Sequence, residues 1–270
     1  MTMKRFRSDP ARKAARFLLP LVFGLGLWQG VAVAVQLLRG VPFPEPVECF
    51  IGLYQLLGGE LFLESTIYEH LTASCLRWLQ GFGIAFVLGL SYALTGLAFP
   101  FFKSVSMPTV EVLQLIPGLA WVPVVILLFG LNQTSAVAII SLTSFPIIAV
   151  SATMGFSTAD IRYVRTGRMC GYGMWGMLRT VYLPAALPVL LSGTRIALGS
   201  SWRVLVAAEM VIGSGTGLGY AIIQSRWTMD YVAAFVCIMV IALIGLSLER
   251  LVLLPLEKRT LRLWRISNDA

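Results

Sequence analysis

Long apolar runs that water cannot accommodate dominate this chain. The cleanest is YVAAFVCIMVIALIGLSLERLVLL, Tyr231–Leu254. A helix needs about 20 mostly apolar residues to cross a bilayer. Six stretches meet that length: Phe17–Leu38, Ala73–Phe99, Pro108–Phe129, Ser135–Phe156, Leu183–Ile212 and Tyr231–Leu254. The third and fifth are interrupted by Pro117, Pro123, Pro188, Arg195, Arg203 and Glu209. Such breaks are tolerated where a helix packs on protein or lines a wet cavity. Charged residues make up 13% of the chain, against about 25% in soluble domains. The fold class is therefore an all-α integral membrane protein with six spans.

The net charge of +8 matters less than where the charges lie. Cytoplasmic loops collect Lys and Arg. The opening arm MTMKRFRSDPARKAAR holds six of them. Lys103 lies between spans two and three, and Arg162, Arg165, Arg168 and Arg179 lie between spans four and five. Arg250, Lys258, Arg259, Arg262 and Arg265 mark the tail. The alternate links hold only Arg39 and Arg226, with Arg77 at a boundary, and the first of them is acidic: Glu45, Glu48, Glu60, Glu64 and Glu69. The asymmetry predicts both termini in the cytoplasm. The organisation expected is a basic cytoplasmic arm (1–16), one transmembrane domain (17–254) with a cytoplasmic segment at 157–182, and a basic cytoplasmic tail (255–270). A basic arm, an apolar run and AVA (Ala32–Ala34) also resemble a signal peptide, but the run of about 22 residues exceeds an h-region of 7–15.

Several function classes find no support. His70 is the single histidine, and Cys49, Cys75, Cys170 and Cys237 are scattered without a CxxC pair. Metal sites and a Cys/His or Ser/His/Asp catalytic set have almost nothing to draw on. The cysteines read as small apolar fillers. GSGTGLGY (Gly213–Tyr220) is glycine-rich, but it lacks the Lys of a phosphate-binding loop and reads as a flexible turn. The prolines of VPFPEPVE suit an extended external link, followed by short helices lying along the membrane. Nucleic acid is not an expected partner. If the chain moves something uphill, the energy must come from an ion gradient or from a partner.

The segment STADIRYVRTGRMCGYGMWGMLRTVYLPAALP lies between two apolar spans yet carries four arginines. Ser157 with Asp160 three residues on reads as a capping-box-like helix start. Ile161, Val164, Arg168 and Tyr172 recur at helical spacing on one side, and the helix should end near Gly171. Met169, Met174, Trp175 and Met177 offer adaptable apolar groups. Such a helix either rests on lipid headgroups or docks on a protein. Within span five, Arg203 and Glu209 stand six residues apart, so they point to different faces and each needs its own partner or water. Either they form structural ion pairs, or span five lines a path in which Arg203 attracts an anion. In span three, Pro117 should break or bend the helix. Gln114 and Trp121 either line a path with it or pack beside the kink.

Stretches covering about Val41 to Trp264 resemble, in order, one family. They are VPFP with LLGGELF, ASCLRWLQGFGIAFVLGL, LQLIPGLAWVPVVILLFGLNQTSAV, GYGMWGMLRTVYLPAALPVLLSGTRIALG and WRVLVAAEMVIGSGTGLGYAI. The chain is similar to the inner-membrane permease subunit of bacterial ATP-binding-cassette importers, within the nitrate/sulfonate/taurine-type branch. These permeases share a cytoplasmic E-A-A-x3-G-x9-I-x-L-P signature whose helix inserts into the ATPase subunit. Here Gly171 holds the glycine, Val181 replaces the Ile, and Leu183 and Pro184 close it, whereas Arg165, Thr166 and Gly167 stand at the E-A-A positions. The resemblance implies coupling through Asp160, Ile161, Val164, Arg165, Thr166, Gly167, Arg168, Gly171, Leu183 and Pro184. The path residues read from the spans themselves are Gln114, Pro117, Trp121, Trp202, Arg203 and Glu209, and since family members often carry AEM, here Ala208–Met210, the resemblance implies an architectural or gating role for Glu209. It further implies two cytosolic ATPase subunits that use ATP, no cofactor on this chain, and no catalysis by it. An external binding protein would deliver a small solute, an anion such as nitrate, a sulfonate or taurine. A second permease copy, identical or different, completes the path in a bacterial inner membrane. The rival reading is a stand-alone ion-driven carrier or channel.

Overall fold

The computed structural model describes residues 10–62, 65–213, 215–253 and 255. Most of the basic arm and of the tail therefore lies outside the described residues. Helix α1 (Pro10–Arg39) leads into α2 (Pro46–Leu57) and a two-strand antiparallel hairpin, β1 (Leu61–Phe62) with β2 (Ser65–Thr66), in which Leu61 faces Thr66. Then come α3 (Ile67–Ala98), α4 (Pro100–Leu115), a 3₁₀ turn (Gly118–Trp121), α5 (Val122–Phe129) and α6 (Gln133–Ser157). After α7 (Ile161–Met169) and α8 (Met174–Met177), a π turn (Leu178–Tyr182) runs into α9 (Leu183–Ile212). Helices α10 (Leu218–Trp227) and α11 (Tyr231–Ser247) follow, the latter extended by a π segment (Leu248–Leu253).

Five of these helices are long and apolar enough to cross a membrane, and a sixth crossing exists if α4 and α5 count as one. The expected third span is thus not a single rod: its two helices meet at 102°. Ile116 and Pro117 are extended, with ψ of 121° and 136°, because proline cannot supply the helical amide and restricts the residue before it. The second span starts at Ile67, six residues before the expected Ala73. The reason is local. Thr66 caps the helix, its hydroxyl accepting from the Glu69 amide while Glu69 Oε2 accepts from the Thr66 amide at 2.9 Å, a capping box that adds an external turn to the apolar run.

The bundle is built on α3, α6 and α9. On α3, Gly81, Ala85, Gly89 and Ala93 are buried at four-residue spacing, and on α6 so are Ile140, Ser144, Ile148 and Ala152. Small residues let helix backbones approach closely in a bilayer, where packing rather than hydrophobicity drives association. Gly81 receives Ile140 and Gly89 receives Ile148, so the two helices run parallel in fixed register. Gly193 on α9 sits directly against Ser151 of α6. Trp78 and Trp202 meet edge to face at 5.7 Å where α3, α9 and α11 converge, and Trp78 Nε1 donates to Ser201 Oγ at 2.8 Å. Helix α1 lies on the outside. Its Trp28 donates to the Pro44 carbonyl at 3.0 Å and stacks on Phe235. Cys49 and Cys237 are buried as fillers, burial pushing the Cys49 thiol up to about 11. Cys170 is exposed and fills nothing.

A Cβ at Gly89 would stand 2.8 Å from Ile148 Cγ2, whereas Gly83 has open space around it. Gly89→Leu should therefore destabilise the detergent-solubilised protein by about 1–3 kcal/mol, the usual range for overpacking. Gly83→Leu should leave its thermal midpoint unchanged.

Candidate coupling and translocation sites

The turn between α6 and α9 is closed at both ends by backbone chemistry. Asp160, not Ser157, is the N-cap of α7, because Ser157 still belongs to α6. The Asp160 carboxylate accepts from the Arg162 amide at 2.8 Å and from the Arg162 guanidinium at 2.6 Å. That side-chain hydrogen bond holds the Asp160 carboxyl below the usual carboxylate range. At the far end the Tyr172 amide donates to the Gly167 carbonyl and the Gly171 amide to that of Arg168, both at 3.0 Å. This is a Schellman closure, and its left-handed residue is Gly171 at φ +78°. Gly171 is needed for that conformation rather than for space, since nothing lies near its missing Cβ.

Only Val164 and Gly167 of α7 are buried. Ile161 and Arg168, expected beside Val164, are exposed, and Tyr172 lies beyond the helix end. Gly167 is the contact: a Cβ there would meet Met177 Sδ at 2.6 Å. Met177 thus points inward, whereas Met169 and Trp175 are 88% and 74% exposed. Arg162, Arg165, Thr166 and Arg168 also face outward. A cleft of about 560 Å³ separates α7 from the start of α9, lined by Asp160, Tyr163, Gly167, Tyr172 and Pro184 among others. Leu183 and Pro184 open α9 directly after the π turn.

The six residues expected along a path do not fall in one place. Gln114 and Pro117 are exposed at the α4–α5 break. Gly118 wedges the break against the body, since a Cβ there would meet Thr143 Oγ1 at 2.7 Å and Val204 Cγ2 at 2.8 Å. Trp121 packs half-buried in the cluster holding Val204, Ala208 and Ile212. Trp202 is buried against Trp78. Arg203 is exposed, on a face shared with Ser192, Ile196 and Gly199. It opens on a groove of about 1060 Å³ between α3, α9 and α11, where Arg195 bonds Glu249 at 2.7 Å. The structure therefore does not bring Arg203 together with Gln114 and Pro117.

Glu209 is fully buried in a clasp. Its carboxylate accepts from Arg77 NH1 at 2.6 Å, the Ser74 hydroxyl at 2.8 Å and the Gly219 amide at 3.0 Å. Arg77 also donates to the Thr216 carbonyl and hydroxyl at 2.8 and 2.9 Å. The Gly217 amide donates to His70 Nδ1, and the Leu218 amide to Ser74 Oγ. Thr216 to Gly219 of this glycine-rich link are thus fastened rather than flexible. Gly217, at φ +131°, leaves room for the pair: a Cβ there would lie 2.6 Å from Glu209 Oε1. Sequence reasoning left out His70, Ser74 and Arg77. Their spacing of four and three residues at the head of one helix puts them on a single face, and that was the available signal.

A family described as the binding-protein-dependent transport system inner membrane component matches residues 57–259. The chain belongs to that family. This permease is 31% identical to the taurine transport system permease protein TauC of Escherichia coli (strain K12), over 83% of this chain and 81% of TauC. It is also 31% identical to the putative aliphatic sulfonates transport permease protein SsuC of Bacillus subtilis (strain 168), over 97% and 93%. Identity to the bicarbonate transport system permease protein CmpB of Synechococcus elongatus is 31%, over 89% and 88%. Its fold matches the crystal structure of an amino acid ABC transporter with histidines at TM-score 0.59 and 20% identity, covering 80% of the permease and 100% of that chain. The inward-facing MetNI methionine ABC transporter matches at 0.53 and 16%, over 79% and 98%. The protein is thus a multi-pass membrane permease subunit of an importer, as its sequence led one to expect.

Breaking a buried ion pair from one side strands a charge and typically costs about 3–5 kcal/mol. Arg77→Met and Glu209→Leu should each destabilise the permease by that order, and the double variant by less than either alone, in a thermal double-mutant cycle. At α7 the depressed Asp160 carboxyl fixes the sign of the pH effect. The cap is fully present above the ordinary carboxylate value of about 3.9 and is lost as pH falls through the lower folded value. Intrinsic-rate-corrected amide exchange over 161–164 should be equal at pH 7 and pH 5 and faster at both in Asp160→Ala.

Proposed function

We propose that this permease subunit carries a small anion inward, powered by two ATPase subunits that dock at the α7 turn. An external binding protein delivers the solute, and a second permease copy completes the path. In this reading both termini and α7 face the cytoplasm of a bacterium, with the chain in the inner membrane, as the distribution of Lys and Arg supports. The observation that carries the reading is the turn itself. Its closure at Gly171 holds a short helix whose outer surface is Arg162, Arg165, Arg168 and Met169, with Trp175 of α8 exposed beside it, while Gly167 on its inner surface is locked on Met177.

Motion at α7 has a short way to travel. Gly167 bears on Met177, and α8, the π turn and α9 follow without a break up to Ile212. A push on α7 therefore moves α9, which packs along α6 and carries Trp202, Arg203 and Glu209. The α4–α5 break leans on the same helix through Gly118 and Val204, so Gln114, Pro117 and Trp121 respond with it. Pro117 and Trp121 suit a gate, and Arg203 adds positive potential. The anionic character of the solute is supported by relatives named for taurine, aliphatic sulfonates and bicarbonate. Arg165 at the position where relatives are acidic makes the ATPase groove that receives this turn correspondingly acidic.

The test is reconstitution in liposomes with the co-purifying ATPase and the binding protein. Gly171→Val destroys the left-handed closure and should lower uptake by about two- to thirty-fold, the range of 0.5–2 kcal/mol of coupling energy, while ATP hydrolysis and insertion persist. Full uptake by that variant counts against docking at α7. A tagged chain that transports without any ATPase would establish a stand-alone carrier instead.

A further inference from the structure

The clasp around Glu209 includes the chain's single histidine. His70 stands in the first turn of α3 and has no access to solvent. Both of its ring nitrogens are in use. The Gly217 amide donates to Nδ1 at 3.0 Å, and Nε2 lies 3.4 Å from the Phe62 carbonyl of β1. A backbone amide can only donate, so Nδ1 is the bare nitrogen and Nε2 carries the hydrogen. The ring that fits this site is neutral and of one tautomer, selected by backbone groups on both sides.

The Gly217 bond is the first of three in a row. The amides of Gly217, Leu218 and Gly219 donate to His70, Ser74 and Glu209, side chains of α3 and α9. Together they fasten the start of α10 to the other two helices. Charged groups face the ring from both of these helices. From α3, the Glu69 carboxylate favours a charged ring and the Arg77 guanidinium opposes it. Glu69 is engaged with the Thr66 amide, and Arg77 with Glu209. From α9, Glu209 lies across Gly217. From β1 the ring meets only the Phe62 carbonyl and the Phe62 ring, the latter at 6.0 Å.

A second proton on the ring goes to Nδ1, its one free lone pair. That sets one N–H against another at the distance of the Gly217 bond, in a site closed to solvent. Leaving a buried donor without an acceptor costs its full desolvation. The nearest acceptors are already taken, Ser74 by Leu218 and Glu209 by Gly219 and Arg77.

We propose that His70 is an acid-sensitive fastener, whose protonation expels the Gly217 amide and frees the start of α10 from α3. The link is shut while the ring is neutral and opens as pH falls. The device needs only the packing of α3, β1 and the link from α9 to α10. It is independent of the solute, of the ATPase and of which side of the membrane the clasp faces.

The experiment uses the full-length chain in detergent, with an affinity tag free of histidine and with nitrogen-15-labelled histidine, so that every histidine signal belongs to His70. At pH 7.5 the spectrum should show a bare Nδ1 and a protonated Nε2. Amide exchange at Gly217, Leu218 and Gly219, corrected for intrinsic rate, is then followed from pH 7.5 to pH 5, across the ordinary histidine value of about 6.5. It should rise about ten- to hundred-fold, the scale of one stranded buried donor, and the rise should track the titration of the ring. His70→Asn sets Oδ1 where Nδ1 stands and accepts from Gly217 at any pH, so its exchange should stay slow throughout. His70→Ala removes the acceptor and should exchange fast throughout. A ring protonated on Nδ1 at pH 7.5, a ring still neutral at pH 5, or a charged ring without faster exchange overturns the proposal. So does a rise in His70→Asn equal to that of the wild type, which assigns the acid response to another group. The spectrum and the wild-type exchange decide the matter even if a variant does not fold.

Discussion

A carboxylate buried near the C-terminal end of α9 organises this permease. Glu209 has no access to solvent, and it is satisfied by Arg77, Ser74 and the Gly219 amide. These partners come from α3 and from the first turn of α10. An ion pair inside a bundle holds only if the remaining lone pairs and protons are also met. Here the backbone meets many of them, through the amides of Gly217, Leu218 and Gly219 and the carbonyl of Thr216. The glycines are there because side chains would collide with the pair. With α3 and α9 clasped at one end and sealed by small residues along α6, the body is rigid enough to move as a unit.

That rigidity gives the opposite end of α9 its meaning. The turn that begins at Asp160 stores little hydrophobic burial, with only Val164, Gly167 and Met177 turned inward. Hydrogen-bonded closure at both ends holds its shape instead. An outward-facing surface is thereby attached by one close glycine contact to a helix that crosses the bundle. The proline break at Pro117 touches the same helix from the other side. Helix α9 thus touches the cytoplasmic-type turn at its start and the proline break along its length.

Much of this was legible beforehand. Apolar run length marked the spans, because a bilayer demands about 20 residues whatever their order. Pro117 announced a break, because the missing amide is a local fact. The glycine at 171 announced a helix end for the same kind of reason. Less legible was the start of α7, where Ser157 with Asp160 read as a capping-box-like start and the backbone made Asp160 the cap instead. Cys170 was misread as filler, since burial depends on neighbours that spacing does not reveal.

The sequence by itself determined the membrane class and the family, both consequences of local composition and ordered motifs. It also determined that Arg203 and Glu209 could not serve one another, since helical geometry separates residues six apart. Only the tertiary structure decided that Glu209 belongs to Arg77, 132 residues earlier, that a glycine-rich turn is fastened, and that Arg203 faces away from Gln114. These are matters of which surfaces meet. In a bilayer the partner of a buried charge is set by helix packing, and helix packing is settled by small residues meeting large ones across distances that no local pattern encodes.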